Sequence, residues 1–526
     1  MEKMENNKKI REQWGTKLGI ILAVTGSAIG LGNFLRFPVQ AARNGGGAFM
    51  IPYFISLFLL GIPLMWVEWT IGRFGGGFGH GTAPGIFHTM YNKNRFIKYF
   101  GAIGIFSPVV IFIYYTYIES WLLGYAFFTL VGKYSGIDSY GSMKSFLSGY
   151  QGLETNQYFS GLGWSYLFFI ITFILNITVI YYGIKKGIEK LCNWSVPVLL
   201  VCGIVLAIRV LTLGAPDASK PGWNIYNGLG FLWNPDFSVL KNSKVWLAAA
   251  GQVFFTLSAG IGVVLTYASF LTKEHDVALS GLTSSMANEF AEVILGGSIV
   301  IPAAFAFFGP QEIVNIANSG SFNLGFVTMP LIFGKIHFGA VFAFLWYILL
   351  FLAGITSSVS LAQPAMTFIE DEFNLTKKKA AGVLGIITFI LCQAPIFFLG
   401  HGVLDELDFW GGTFFLVVFA TFESILAGWV FGIDRIWKEV HIGSDIKLPN
   451  VYRFIIKYLT PLFLLTVLAF WTVQQAIPAL LMKNVPSGNF WYVLFTRISL
   501  VLVFGVLCLS IRHVWKKRAR GNNQNE

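Results

Sequence analysis

The chain has 526 residues, of which 55% are hydrophobic and 17% aromatic, while charged residues make up 12%, about half the charged share of a soluble globular protein. That deficit excludes an ordinary soluble enzyme. The net charge of +11 is carried by basic residues scattered through a greasy chain, with no basic stripe, so it argues against a nucleic-acid partner and reads as a topology signal.

A bilayer core needs about 20 apolar residues per helix. Scanning with that ruler predicts an all-α membrane protein of twelve transmembrane helices. The first five spans cover 18–42, 47–71, 97–131, 163–183 and 191–213. The next five cover 245–270, 277–308, 338–370, 378–398 and 404–431, and the last two 455–480 and 490–512. The start, MEKMENNKKIREQWGTK, is polar and lacks the short apolar core of a secretory signal, so the first span is the expected anchor. Cys192, Cys202, Cys392 and Cys508 fall inside apolar runs and read as packing residues, not as disulfides or a metal cluster.

An even number of spans puts both termini on one side. Most basic residues, including Lys8, Lys9, Arg73, Lys185, Lys186, Lys377, Lys378 and Lys516, lie on that side, which makes it the cytoplasm; the expected location is the plasma membrane. Residues 1–17 then form a cytoplasmic segment and 513–526 a cytoplasmic tail. The outer segments 132–162, 214–244 and 309–337 are too short for separate cores and read as lids.

Span one carries Gly26-Ser27-Ala28-Ile29-Gly30-Leu31-Gly32-Asn33 at mid-membrane depth. Span six carries Leu257-Ser258-Ala259-Gly260-Ile261-Gly262 at the same depth. Matching interruptions five spans apart are what an inverted repeat would leave, with 18–213 and 245–431 as its halves and 455–512 as two added helices. A broken helix in lipid exposes backbone groups costing several kcal/mol each, so such a break lines a cavity or holds a ligand. Half-helix amides suit a carboxylate, and freed carbonyls suit a desolvated cation. Neutral oxygens nearby, on Asn33, Thr256, Asn288 and the Thr356-Ser357-Ser358 run, suit sodium. A zwitterion travelling with sodium follows. A channel would want a continuous polar ring, which no span shows. An intramembrane enzyme would want a metal or nucleophile constellation, and the seven histidines have no HExxH spacing.

The strings GSAIGLGNFLRFPVQAARNGGGAFMIPY (26–53), YYTYIESW (114–121), GQVFFTLSAGIG (251–262), NEFAEVILGGS (288–298), AGITSSVSLAQP (353–364) and LDELDFW (404–410) resemble the neurotransmitter:sodium symporter family, with the bacterial leucine transporter as the nearest likeness. The resemblance implies alternating access, with spans 1, 2, 6 and 7 rocking against the rest, and two co-transported sodium ions. The first sodium would meet the carbonyl of Ala28, the side chains of Asn33 and Asn288, Thr256 and the substrate carboxylate. The second would meet carbonyls of Gly26, Ile29 and Ala353 and the hydroxyls of Thr356 and Ser357. An amino acid would set its carboxylate on Leu31, Gly32 and Tyr115, and its ammonium on Ala28, Phe255, Thr256 and Ser258. Its side chain would face Ile29, Ile111, Tyr115, Phe255, Ile261, Ser357 and Leu361.

The implied pocket has no acid or base, and Gly30 stands where monoamine carriers of the family have aspartate. The expected substrate is therefore a neutral, hydrophobic amino acid such as leucine, methionine or alanine, with an aromatic one such as tryptophan as the alternative. Ser27, Ile261 and Leu361 depart from the leucine transporter pattern of asparagine, phenylalanine and isoleucine. Glu292 lies one turn after Asn288, where chloride-dependent relatives have serine, so its carboxylate is expected to supply the negative charge and make chloride unnecessary. Arg36 and Asp408 correspond to an outer ion pair, above a lid of Tyr115 and Phe255. Arg11, Trp14, Ser269 and Asp371 correspond to a cytoplasmic latch, in which Phe270 replaces a tyrosine. The expected partners are the bilayer, the amino acid and at most a second copy of the chain.

Overall fold

The computed structural model describes residues 12–94, 96–483 and 485–522. Among these residues nine helices are long and apolar enough to cross a membrane, or ten when one bent pair is taken as a single span. The bent pair is α1 (Lys17–Ala28) and α2 (Gly32–Arg43), whose axes meet at 44°. Then come α3 (Gly47–Gly76), α4 (Ile97–Leu130) and α5 (Gly163–Leu211). The helices α6 (Ser243–Thr256) and α7 (Val263–Ala268) are short. They are followed by α8 (Val277–Phe308), α9 (Gly339–Glu372), α10 (Lys377–Phe397), α11 (Val403–Val440), α12 (Val451–Leu480) and α13 (Ser487–Arg518).

The difference from the expected twelve has two physical sources. Expected spans four and five lie in the single 49-residue run of α5, whose two arms meet at Gly183 with no loop between them. Gly183 takes a φ of +77° that breaks the helical path, and a π-helical stretch at Ile184–Glu189 follows directly, its first amides bonded to Glu12. Expected span six is present only as α6 and α7, which at 14 and 6 residues are each too short to cross alone.

The centre of the molecule is the packing of α9 on α4, the most extensive contact between elements. The inner half-helix α1 lies against α5, α8 and α9, while α6 and α7 lie against α3. The segments 132–162, 214–244 and 309–337 contain short helices, among them Tyr140–Tyr150, Ile225–Trp233 and Pro310–Asn318. Beneath them, Trp121, Tyr125, Phe326 and Tyr347 form a continuous aromatic layer. At the periphery α13 exposes Trp491, Phe495, Val501, Leu502 and Leu509, as a helix facing lipid should.

Both interruptions are held by side chains that replace the lost helical bonds. α1 stops at Ile29, and the next amides are taken up locally: Gly30 N–H donates to Asn33 Oδ1 (2.9 Å) and Leu31 N–H to the Tyr115 hydroxyl (3.2 Å). Between α6 and α7 the backbone turns left-handed at Ser258, Gly260 and Gly262, with φ of +52°, +76° and +83°. Gly260 N–H donates to the buried carboxylate of Glu68 (2.6 Å), and Ser258 Oγ donates to Ser27 O (2.9 Å), tying one break to the other.

Glycine is required at 262 twice over, by its φ and by its neighbour: a Cβ there would lie 2.5 Å from the carbonyl oxygen of Gly104. Gly262→Ala is expected to cost about 1–3 kcal/mol and to lower the thermal unfolding midpoint in detergent. Gly382→Ala, in helical backbone with nothing within 4 Å of the new methyl, should leave the midpoint unchanged or raise it.

Candidate binding site at the paired helix breaks

The two interruptions meet at a cavity enclosing about 50 Å³ of space open to water-sized molecules, enough for a few waters before any side chain moves. Its walls are Ser27, Ala28, Gly30, Leu31, Gly32, Asn33, Ile111, Tyr115, Phe255, Thr256, Ser258, Ile261, Ser357, Leu361, Gly412 and Leu416. None of these side chains is charged. Residues from α1, α2, α4, α6, the second break and α9 are therefore brought together as the sequence groups them. Ile29 is not: its side chain is fully buried in the hydrophobic core and does not line the cavity. α11 adds Gly412 and Leu416, which carry no motif that would have singled them out.

Along one wall runs a chain of polar groups. Asn33 Nδ2 donates to Asn288 Oδ1 (2.8 Å), and Asn288 Nδ2 to Thr256 Oγ1 (3.0 Å). Thr256 Oγ1 donates in turn to Glu292, which also accepts from Gln252 Nε2 (2.9 Å) and the Tyr53 hydroxyl (3.1 Å). Asn33, Thr256 and Asn288 thus converge beside Ala28, three neutral oxygens with one carboxylate behind them. Neutral oxygens of this kind are the donors a monovalent hard cation would need, with a carboxyl group one bond further back.

Glu292 is not alone. Glu289, singled out by no motif reading, accepts from the same Tyr53 hydroxyl at 2.7 Å and from Asn288 Nδ2 at 3.4 Å. One phenol therefore bridges two buried carboxyl groups. The helical register explains why Glu289 is easily overlooked, since a residue directly after Asn288 is expected to face away from it, yet Tyr53 of α3 reaches between them.

A second group of oxygens lies where α1 meets α9. Ser357 Oγ donates to the carbonyls of Gly26 (3.3 Å) and Ser27 (3.1 Å), and Thr356 Oγ1 to those of Leu352 (2.9 Å) and Ala353 (3.2 Å). A Cβ on Gly26 would sit 3.1 Å from Thr356 Cβ, so any larger residue there would press on α9. Gly26, Ala353, Thr356 and Ser357 are thereby grouped, with Ile29 at the end of the same half-helix.

Above the cavity a vestibule of about 240 Å³ contains Arg36, Asp408, Tyr114, Tyr115 and Phe255. The expected Arg36–Asp408 ion pair is not formed in this structure. The guanidinium of Arg36 lies over the Phe255 ring, 4.2 Å from its centroid, and its Nη1 has no hydrogen-bond partner. Asp408 accepts from the Tyr114 hydroxyl at 2.6 Å. Each charge has found a nearer neighbour than the other: a ring face for the cation and a phenol for the anion.

At the N-terminal end of α1, Trp14 Nε1 donates to Tyr267 O (3.1 Å), and the two rings meet edge to face. Ser269 Oγ donates to Thr266 O (2.7 Å) and Gly81 O (3.3 Å). Asp371 ends up near the close of α9, while Arg11, its expected partner, lies outside the described residues.

Comparison with known proteins fits this geometry. The sequence pattern of the Sodium:neurotransmitter symporter family matches residues 11–136 and 141–516. A sodium-dependent transporter of Methanocaldococcus jannaschii, itself uncharacterized, is 32% identical over 87% of this chain and 89% of its own length. A sodium-dependent nutrient amino acid transporter of Drosophila pseudoobscura pseudoobscura is 26% identical over 88% of this chain and 75% of its own. Among solved structures, MhsT in complex with L-phenylalanine superposes with a TM-score of 0.74 at 30% identity, covering 87% of this chain and 99% of MhsT. The chain belongs to the Sodium:neurotransmitter symporter family, and is a multi-span, sodium-dependent membrane transporter and not an enzyme.

Proposed function

We propose that this transporter imports a neutral, hydrophobic amino acid with two sodium ions, by alternating access and without chloride. The observation that carries the reading is the meeting of two interrupted helices at an uncharged, mostly apolar cavity, with neutral oxygen donors on two sides of it. An amino acid's carboxylate would replace the contact between Leu31 N–H and the Tyr115 hydroxyl, and would complete the shell of the ion at Ala28, Asn33, Thr256 and Asn288. Its ammonium would turn to the carbonyl ends of α1 and α6. A monoamine would lack the carboxylate, and no acidic side chain lines the cavity to receive its ammonium.

Ile111, Ile261, Leu361 and Leu416 favour an aliphatic side chain such as that of leucine or methionine, and alanine would also fit. The second reading, an aromatic amino acid, is supported by the phenylalanine bound to MhsT. One methylene in such a pocket is worth only about 1–3 kcal/mol, so both belong to one substrate class. Twelve crossings, with α5 crossing twice and α6 and α7 forming one crossing, would put both termini in the cytoplasm of a plasma-membrane protein. The two halves at 18–213 and 245–431 would then be inverted copies, with 455–512 added. Arg36 and Asp408 would close the outer face once substrate draws the vestibule inward.

Two sodium ions entering with a zwitterion carry two charges, each worth about 2.3 kcal/mol per 100 mV. The sum, roughly 4.6 kcal/mol, supports an accumulation of about a thousandfold or more before any sodium gradient is counted.

In reconstituted vesicles, leucine uptake should require external sodium and be inhibited by excess methionine, alanine, phenylalanine or tryptophan. Strong inhibition by lysine or glutamate would contradict the proposed pocket. Replacing Glu292 with Ser should make uptake depend on chloride, because Tyr53, Gln252 and Thr256 would then face an anion-sized gap in place of a carboxylate. Uptake by this variant that is equal with and without chloride would show that Glu292 does not perform that task, and would point to Glu289 as the balancing charge.

A further inference from the structure

At the cytoplasmic end, two carboxylates stand between the N-terminal segment and α5, and neither belongs to the latch that the sequence suggests. Glu189, in α5, is almost fully buried. Its Oε2 accepts from the backbone N–H of Gly15 (2.7 Å) and its Oε1 from the Thr16 hydroxyl (3.1 Å). Thr16 is the N-cap of α1, and its oxygen accepts from Gly19 N–H at 2.8 Å. Glu189 thus caps the start of α1, partly through Thr16.

Glu12 does the converse. Its two oxygens accept from the amides of Ile184 and Lys185, both at 3.2 Å, where α5 resumes after the left-handed Gly183, and it is ion-paired with Lys377 at the start of α10. Each segment therefore offers a carboxylate to the exposed amides of the other, the most favourable place for a negative charge on a helix.

Three glycines make room for this arrangement. A Cβ on Gly19 would fall 2.1 Å from Glu189 Oε1, one on Gly15 3.0 Å from the same atom, and one on Gly183 2.8 Å from Glu12 Oε2. A side chain at any of these positions would have to push the carboxylate aside.

We propose that Glu12 and Glu189 form a reciprocal clamp that holds the inner half-helix α1 shut against α5 and α10, and so sets the balance between cytoplasm-closed and cytoplasm-open states. Glu189 is a positioning residue: it touches neither the cavity at the breaks nor the oxygens grouped around Thr356. The inference rests on the alternating-access reading for its meaning: a half-helix that moves can be released at its end by exchanging a few polar contacts. Trp14 on Tyr267 O gives the same segment its hold on the moving side. The clamp gives it a hold on the static one.

Hydrogen exchange on the purified full-length protein in sodium tests this directly. Glu189→Ala removes the acceptor, while Gly19→Ala keeps the carboxylate but displaces it, so the two variants attack the clamp by unrelated means. Both should speed exchange in peptides covering 12–28 and 184–190 by on the order of tenfold, with peptides from α9 unchanged. Both should also raise the sodium concentration for half-maximal uptake several-fold, with a smaller change in the maximal rate. Glu189→Gln, which keeps one acceptor oxygen, should fall between them and wild type.

Unchanged exchange at 12–28 in both variants would overturn the clamp. So would faster exchange spread evenly over the chain, which would mean that Glu189 only stabilises the fold. The exchange readout needs no substrate, so failure of the wild type to take up amino acids would count against the transport reading while the exchange result still decided for or against the clamp.

Discussion

The rest of the structure depends on one constraint: a helix cannot be interrupted inside a bilayer unless something other than water satisfies its backbone, at a cost of several kcal/mol for each group left bare. This chain meets the constraint twice at one place. Gly30 N–H goes to Asn33, Leu31 N–H to Tyr115, Gly260 N–H to Glu68, and Ser258 bonds across to Ser27 O. The groups that stabilise the breaks also surround the cavity, so the fold and the site share the same atoms. A ligand bound there would exchange contacts with the backbone instead of creating the polar site afresh.

The scarcity of charge then acquires a pattern. The cavity wall is neutral, and carboxylates stand one contact behind it: Glu292 and Glu289 around Tyr53, and Glu68 behind the second break. Carboxyl groups at that remove can lend negative charge to a cation without touching it. The charges of the vestibule are loosely engaged in comparison. Arg36 rests on Phe255 and Asp408 on Tyr114, contacts that a closing movement of the vestibule can exchange.

Much of this is legible in the sequence because it is written in local strings. Small residues at mid-span mark the breaks, and amides and hydroxyls close to them mark the oxygen donors. Asn33, Thr256 and Asn288 converge because the spans that carry the first two are interrupted at equal depth. What is not legible depends on which distant side chain arrives. Glu68 reaches Gly260 across 192 positions, Gly412 and Leu416 come from a helix face with no polar signature, and Glu289 is recruited only because Tyr53 projects between two turns of α8. The missing Arg36–Asp408 contact has the same origin, since opposite charges suggest a pair but do not reveal that an aromatic ring and a phenol stand closer. The span count differs because hydropathy divides the chain at Lys185, Lys186 and Glu189, where the fold turns at Gly183 without a loop.

In the proposed mechanism sodium and an amino acid share one site at the paired breaks, each completing the other's set of contacts. Equilibrium binding of labelled leucine to the purified protein, measured across sodium concentrations with potassium as the replacing ion, tests this most directly. Binding should be absent in potassium, the apparent Kd should fall steadily as sodium rises, and Asn288→Ala should shift the whole sodium dependence to higher concentration. Leucine binding of equal strength in sodium and potassium would contradict a shared site.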